Sequence, residues 1–123
     1  MQDFRKLIVW QRAQETCVQI YLLTADFPSE EKYGMTSQLR RAAVSVGANL
    51  AEGSKRKSSA DKARIFNIAE GEAAEAMSIL DVAHRLNYGP KGEALRFSGV
   101  YDELLAMIAT LRQRVAGASR QAD

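Results

Sequence analysis

Between Gln38 and Gly53 the chain shows almost no ordinary solvent face. Leu39, Ala43, Val46, Leu50 and Gly53 recur at i, i+4, i+7, i+11 and i+14, one stripe of a helix. Arg41, Ser45, Asn49 and Glu52 form a second, polar stripe, and Val44, Gly47, Ala48 and Ala51 fill the remainder with small or apolar side chains. A surface helix usually carries one apolar stripe and a broad charged face. This pattern predicts a helix packed on several sides, with a line of polar groups among the contacts.

The same periodicity predicts three further helices. The first spans about Phe4 to Asp26. Leu7, Val18, Tyr21, Leu22 and Ala25 share one face, and Val9, Ala13, Ile20 and Leu23 lie roughly opposite. Phe27-Pro28-Ser29 ends it, because proline disfavours helix in the residue before it. The second runs from about Thr36 to Glu52, with Thr36 or Ser37 as N-cap and Gly53 as a left-handed C-terminal cap. A polar basic loop, Ser54 to Ser59, follows, and Ser58 or Ser59 caps a third helix reaching about Asn87. Tyr88-Gly-Pro-Lys-Gly92 reads as a turn. The fourth helix runs from Glu93 to Val115 on the seam Phe97, Tyr101, Leu104, Ile108, Leu111 and Val115, spaced as in bundle packing. Three short connections predict an all-α, antiparallel up-down-up-down four-helix bundle over residues 1–116, with 117–123 a fraying tail.

The third helix has two stripes. One is Phe66, Ala69, Ala73, Met77, Leu80 and His84; the other is Ile65, Ile68, Ile79, Val82 and Leu86. A bundle monomer needs only one, so the pattern predicts a homo-oligomer with this helix near the subunit contact. The polar stripe of the second helix fits assembly too. Buried charges need partners, and Arg41 and Glu52 lie about 16 Å apart along the helix, too far to pair. Glu72 and Glu75 are candidate partners for Arg41, within a subunit or across an interface.

Composition narrows the setting. The chain has 123 residues, 46% of them hydrophobic and 26% charged, which suits one globular domain with its own core. It has no long apolar run for a membrane span and no secretory leader pattern at its N-terminus, and its single cysteine forms no internal disulfide. Together these predict a cytoplasmic protein. The net charge is only +2, but residues 40–64 hold seven basic side chains against two acidic ones. The run reads either as a solvated helix junction or as a surface for nucleic acid or an acidic partner. The candidate contacts are Arg40, Lys55, Arg56, Lys57, Lys62 and Arg64. No aromatic side chain interleaves with them, so base stacking is not expected.

Catalytic constellations are nearly absent. One His and one Cys supply neither a di-iron bundle site nor a zinc site, and both His84 and Cys17 fit packing positions. Gly89-Pro-Lys-Gly92 lacks the ending of a phosphate-binding loop. The expectation is a non-enzyme with no cofactor and no metal.

Several stretches carry a resemblance. They are Phe4-Arg-Lys-Leu-Ile-Val-Trp-Gln-Arg-Ala13, Phe27-Pro-Ser-Glu-Glu-Lys-Tyr-Gly34, Ser37-Gln-Leu-Arg-Arg-Ala-Ala-Val-Ser45, Ala48-Asn-Leu-Ala-Glu-Gly53, and Phe66-Asn-Ile-Ala69 with Gly71 and Glu75. The chain resembles the four-helix bundle proteins encoded in intervening sequences of bacterial 23S ribosomal RNA genes. It departs from them at Val46-Gly47, where proline is common, at Glu72, often serine, and at Ala76, often leucine. The resemblance implies a homopentameric barrel. It also implies likeness to the accessory protein of diversity-generating retroelements, which associates with a reverse transcriptase and binds nucleic acid through basic surface. No catalytic residue carries over. Arg41, Ser45, Asn49, Glu52 and Glu75 match the family's polar positions and are read as structural and assembly residues. The functional expectation is an oligomer contacting RNA or DNA without strong sequence specificity; the alternative is a ring-shaped scaffold for a protein partner.

Overall fold

The computed structural model describes residues 3–122, with side chains described as far as Ala118. Four α-helices pack around one core: α1 Ile8–Thr24, α2 Met35–Lys55, α3 Ser59–Arg85 and α4 Glu93–Ala122. Short 3-10 turns at Phe4–Lys6 and Ser29–Glu31 precede α1 and α2, and the described residues contain no strand. Helix α1 packs on α2 and α4, and α3 packs on the same two.

The sequence pattern and the structure part at the helix ends. The first helix is interrupted. Asp3 accepts a hydrogen bond from the Arg5 amide, closing the Phe4–Lys6 turn, and Leu7 is extended at φ −71°, ψ 121°. The Gln11 side chain donates to the Arg5 carbonyl across this break, replacing a helical bond. Neither Thr36 nor Ser37 caps α2. The helix starts one residue before Thr36, and its Met35 amide donates to Glu31 Oε1 at 3.2 Å. A carboxylate there also complements the helix dipole.

Gly53 is not the cap of α2 either. It lies inside the helix, which continues to Lys55, and its bare Cα faces the Phe66 ring. Ser58 does cap α3, accepting from the Asp61 amide at 3.1 Å. Asn87, at φ 58°, ends α3: its amide donates to His84 O, and that of Tyr88 donates to Ala83 O. This is the paired-bond termination that a left-handed residue allows. Helix α4 runs on past Val115 to Ala122, while Asp123 lies outside the described residues.

The core selects one face of each helix. On α1 it takes Val9, Ala13, Thr16, Ile20 and Leu23, leaving Ile8, Val18, Tyr21 and Leu22 exposed. On α3 it takes Ile65, Phe66, Ala69, Ala73, Ala76, Leu80 and Ala83, leaving Ile68, Val82 and Leu86 exposed. Helix α2 is not enclosed within one chain: Arg41, Val44, Ala48 and Glu52 face solvent. Four alanines on α3 are fully buried, and so are the larger Tyr101, Leu104 and Ile108 of α4, which packs on it. Small residues facing large ones let the helices interdigitate.

Tyr101 is fully buried, and its hydroxyl has no hydrogen-bond partner among the described residues. Burial, with a smaller contribution from nearby Cys17, pushes its ionisation well above the usual phenol range. An unpaired buried hydroxyl carries a desolvation cost. Tyr101→Phe is therefore expected to leave stability unchanged or raise it by up to about 1 kcal/mol. Urea unfolding checks this, and a loss larger than that would reveal a partner for the hydroxyl.

Candidate nucleic-acid interface

The basic residues from 40 to 64 do not form one cluster. Arg40 stands apart, near the start of α2. Its Nε donates to Thr24 Oγ1 at 2.7 Å, its Nη2 donates to the Tyr21 carbonyl at 3.1 Å, and its guanidinium lies 4.6 Å from the Tyr21 ring centroid. It ties α2 to the end of α1. Fifteen residues of helix, about 22 Å, separate it from Lys55.

The other five gather where α2 ends and α3 begins, yet three already have partners. Arg56 pairs with Glu52 one turn back and lies 3.6 Å from Asp61 Oδ2. Arg64 donates to Asp61 Oδ1 through Nε at 3.0 Å and Nη2 at 2.8 Å. Lys62 Nζ donates to the Ser54 carbonyl at 2.7 Å, satisfying a group in the last turn of α2. Lys55 and Lys57 make no ion pair among the described residues and are exposed.

The fold adds residues that lie far away in sequence. The Phe4–Lys6 turn packs on α2. It brings Arg5 and Lys6 close enough to Lys55 that all three charges act on Asp3. That carboxyl is held below its ordinary value, chiefly by the bond from the Arg5 amide. Phe4 comes with them: Lys55 Nζ is 5.8 Å and the Arg5 guanidinium 4.8 Å from its ring centroid. The expectation that no aromatic residue accompanies the basic patch is thus overturned. The ring is fifty residues away in the chain, so no local motif signals it.

Beside this end a cavity of about 270 Å³ is lined by Leu7, Ser54, Ser59, Lys62, Phe66 and Leu111, among others.

Arg41, Asn49 and Glu52 of the polar stripe of α2 find partners within one chain. Arg41 reaches α3, where Nη2 donates to Glu75 at 2.6 Å and Nη1 donates to Glu72 Oε2 at 3.3 Å. The extra carboxylate at Glu72 thus answers Arg41. Asn49 Nδ2 donates to the Ser45 carbonyl one turn back, and Glu52 holds Arg56.

Burial, and next the hydrogen bond with Glu75, raise the Glu72 pKa; the Arg41 charge opposes them. A carboxyl with a raised folded-state pKa binds more protons when folded. Its effect is therefore a loss of stability as pH rises above the unfolded value of about 4.3. Glu72→Gln is expected to flatten the fall of stability above that pH, and Arg41→Gln to steepen it. Urea midpoints from acid to neutral pH test this. Identical profiles for wild type and Glu72→Gln would show that Glu72 is not strained.

His84 and Cys17, the two potential nucleophiles or ligands, are half-buried. His84 lines a cavity of about 300 Å³ with Asn87, Tyr88, Lys91 and Gly92. Burial raises the Cys17 thiol pKa, which keeps it protonated. No group of three His, Cys, Asp or Glu side chains gathers to hold a metal among the described residues. No described helix is long and apolar enough to cross a membrane.

No curated protein matches the chain. A crystal structure of a protein of unknown function from the S23 ribosomal protein family of Bacteroides thetaiotaomicron shares the fold. Its TM-score is 0.76 at 24% identity, covering 85% of this chain and 98% of that one. The model of the 23S rRNA-intervening sequence protein family matches residues 5–110, most of the chain and, apart from Phe4, all the stretches that carry the resemblance. The chain belongs to the 23S rRNA-intervening sequence protein family.

Proposed function

We propose that this chain is a non-enzymatic, cytoplasmic, homo-oligomeric protein that contacts RNA or DNA through the basic end of its bundle, without strong sequence specificity. The observation that carries the reading is the convergence of Arg5 and Lys6 on Lys55, at the helix junction that also carries the exposed Lys57. Lysine and arginine placed on backbone phosphates bind without reading bases.

The helices alternate up, down, up, down in this reading. Support comes from contact order: Arg41 meets Glu75 while Gly53 faces Phe66, and Gln14 faces Gly47 while Thr24 meets Arg40. Positions rise on one helix as they fall on its neighbour. Exposed Val18 and Leu22 on α1 and Val82 and Leu86 on α3 lie on separate helices. Two different apolar faces suit a head-to-tail contact that closes a ring, consistent with the homopentameric barrel. A ring repeats the basic end around its axis, so weak contacts add through effective concentration.

Mobility shift over a salt series tests the reading. Binding that falls steeply with salt is expected, and Lys55→Glu with Lys57→Glu should weaken it about tenfold or more at fixed salt while sedimentation of the oligomer is unchanged. Binding indifferent to salt would remove the electrostatic interface, and a stable monomer at micromolar concentration would remove the ring.

The exposed apolar positions also favour a second reading, a scaffold for a protein partner such as a reverse transcriptase, like the retroelement accessory protein. Capture of such a partner that survives nuclease treatment and the Lys55 and Lys57 reversals would select it.

A further inference from the structure

The geometry points to single-stranded nucleic acid as the ligand of the basic end, with the Phe4–Trp10 ring pair as its stacking platform. This rests on the nucleic-acid reading above and narrows it.

Phe4 and Trp10 meet edge to face, 5.2 Å between centroids and 70° between planes. Both residues are half-buried. Cations flank the pair: the Arg5 guanidinium and Lys55 Nζ sit by Phe4, and Lys6 is the next residue of the turn. Arg5 has only a long 3.4 Å pair with Asp3, and both side chains are exposed. Packing Phe4 onto α2 requires an apolar side chain but does not require two cations around it. Rings and cations together form the combination that holds single strands: charges follow the backbone while bases stack on π faces.

Base pairing also decides against a duplex. Arg56 and Arg64 are tied to carboxylates and Lys62 to a carbonyl. Lys6, Lys55, Lys57 and the loosely held Arg5 stay open to a backbone. Paired bases offer an aromatic ring no free face. An unpaired base does, and the backbone of a single strand bends to meet scattered charges.

The test uses the full chain and a fluorescein-labelled single-stranded RNA of mixed sequence, alone or annealed to its complement. Anisotropy titrations at low salt are expected to show preference for the single strand. Trp10 is the only tryptophan, so its emission should change with single strand and not with duplex. Phe4→Leu keeps the apolar anchor but removes the π face. It should weaken single-strand binding roughly tenfold and leave duplex binding unchanged, while Phe4→Trp restores it. Circular dichroism confirms that each variant is folded. If both forms bind equally and Phe4→Leu alters neither, the platform is excluded while the electrostatic interface stands. If neither form shows salt-dependent binding, the nucleic-acid reading fails with it.

Discussion

Gly53→Val is expected to lower stability by about 3 kcal/mol, the upper range for overpacking a core. A Cβ at this position would stand 2.6 and 2.7 Å from two carbons of the Phe66 ring, closer than any real contact. Both residues are buried, Phe66 to 2% exposure. The ring borders a cavity that it shares with Leu7, Lys62, Leu111 and Val115. Alanine asks for a small displacement, and its helix propensity offsets about 1 kcal/mol relative to glycine. Gly53→Ala should therefore stay within about 1 kcal/mol of wild type. Valine adds two further methyls at the same close approach, so the Phe66 ring or the end of α2 must shift further. Phe66→Leu in the valine background should recover part of the loss, since it removes the clashing ring edge. Urea titration of the four proteins measures this. A Gly53→Val midpoint equal to wild type would show that α2 and α3 slide apart freely at this crossing. The consequence reaches function, because Ser54 and Lys55 follow Gly53 directly and Ser54 anchors Lys62. A displaced α2 end would also move Lys55 away from Phe4.

Gly53 shows what a single sequence conveys and what it withholds. Glycine before a basic polar run predicts a helix cap, since glycine adopts left-handed conformation readily. The same glycine serves equally as a notch for a ring, and only the position of Phe66 decides. The fourth-helix seam was legible because all its residues face one way: Phe97, Tyr101, Leu104 and Ile108 are buried. The pairing of Arg41 with Glu72 and Glu75 was legible because an arginine on a helix that packs against its neighbour seeks carboxylates and the neighbouring helix offered them, although Arg41 itself is exposed. The start of α2 was not, because its cap is a glutamate from the preceding turn and not a residue of the helix. The candidate interface was half legible. Lys55 and Lys57 stand out as a local run, but the pairing of Arg56 and Arg64 depends on Asp61 and Glu52, whose rotamers no pattern fixes. Phe4, Arg5 and Lys6 reach the site through chain topology, to which local periodicity is blind. Arg40 was grouped with the run because it is near in sequence, although α2 carries it about 22 Å away.

The two apolar faces of α1 give the sharpest separation between fold and assembly. Ile20 is fully buried and Leu22, two residues on, is 69% exposed, although the sequence places each on an apolar face. Ile20→Ala deletes buried carbons and leaves a cavity, so it should cost about 2–5 kcal/mol at every protein concentration. Leu22→Ala removes little that the isolated chain buries and should cost within about 0.5 kcal/mol when the protein is dilute. Should the outer face of α1 meet a second copy, stabilisation by association grows with concentration, and Leu22→Ala must lose that increment. Urea unfolding at two concentrations a hundredfold apart separates these terms. Wild type is expected to gain stability with concentration, Ile20→Ala to gain as much from a lower baseline, and Leu22→Ala to gain less. A Leu22→Ala loss as large as that of Ile20→Ala in dilute solution would mean that the chain buries the other face of α1. A wild-type curve indifferent to concentration, with Leu22→Ala parallel to it, would leave this apolar face without a second copy to cover it. The proposed ring would then have to close through other surfaces, such as Val82 and Leu86 on α3.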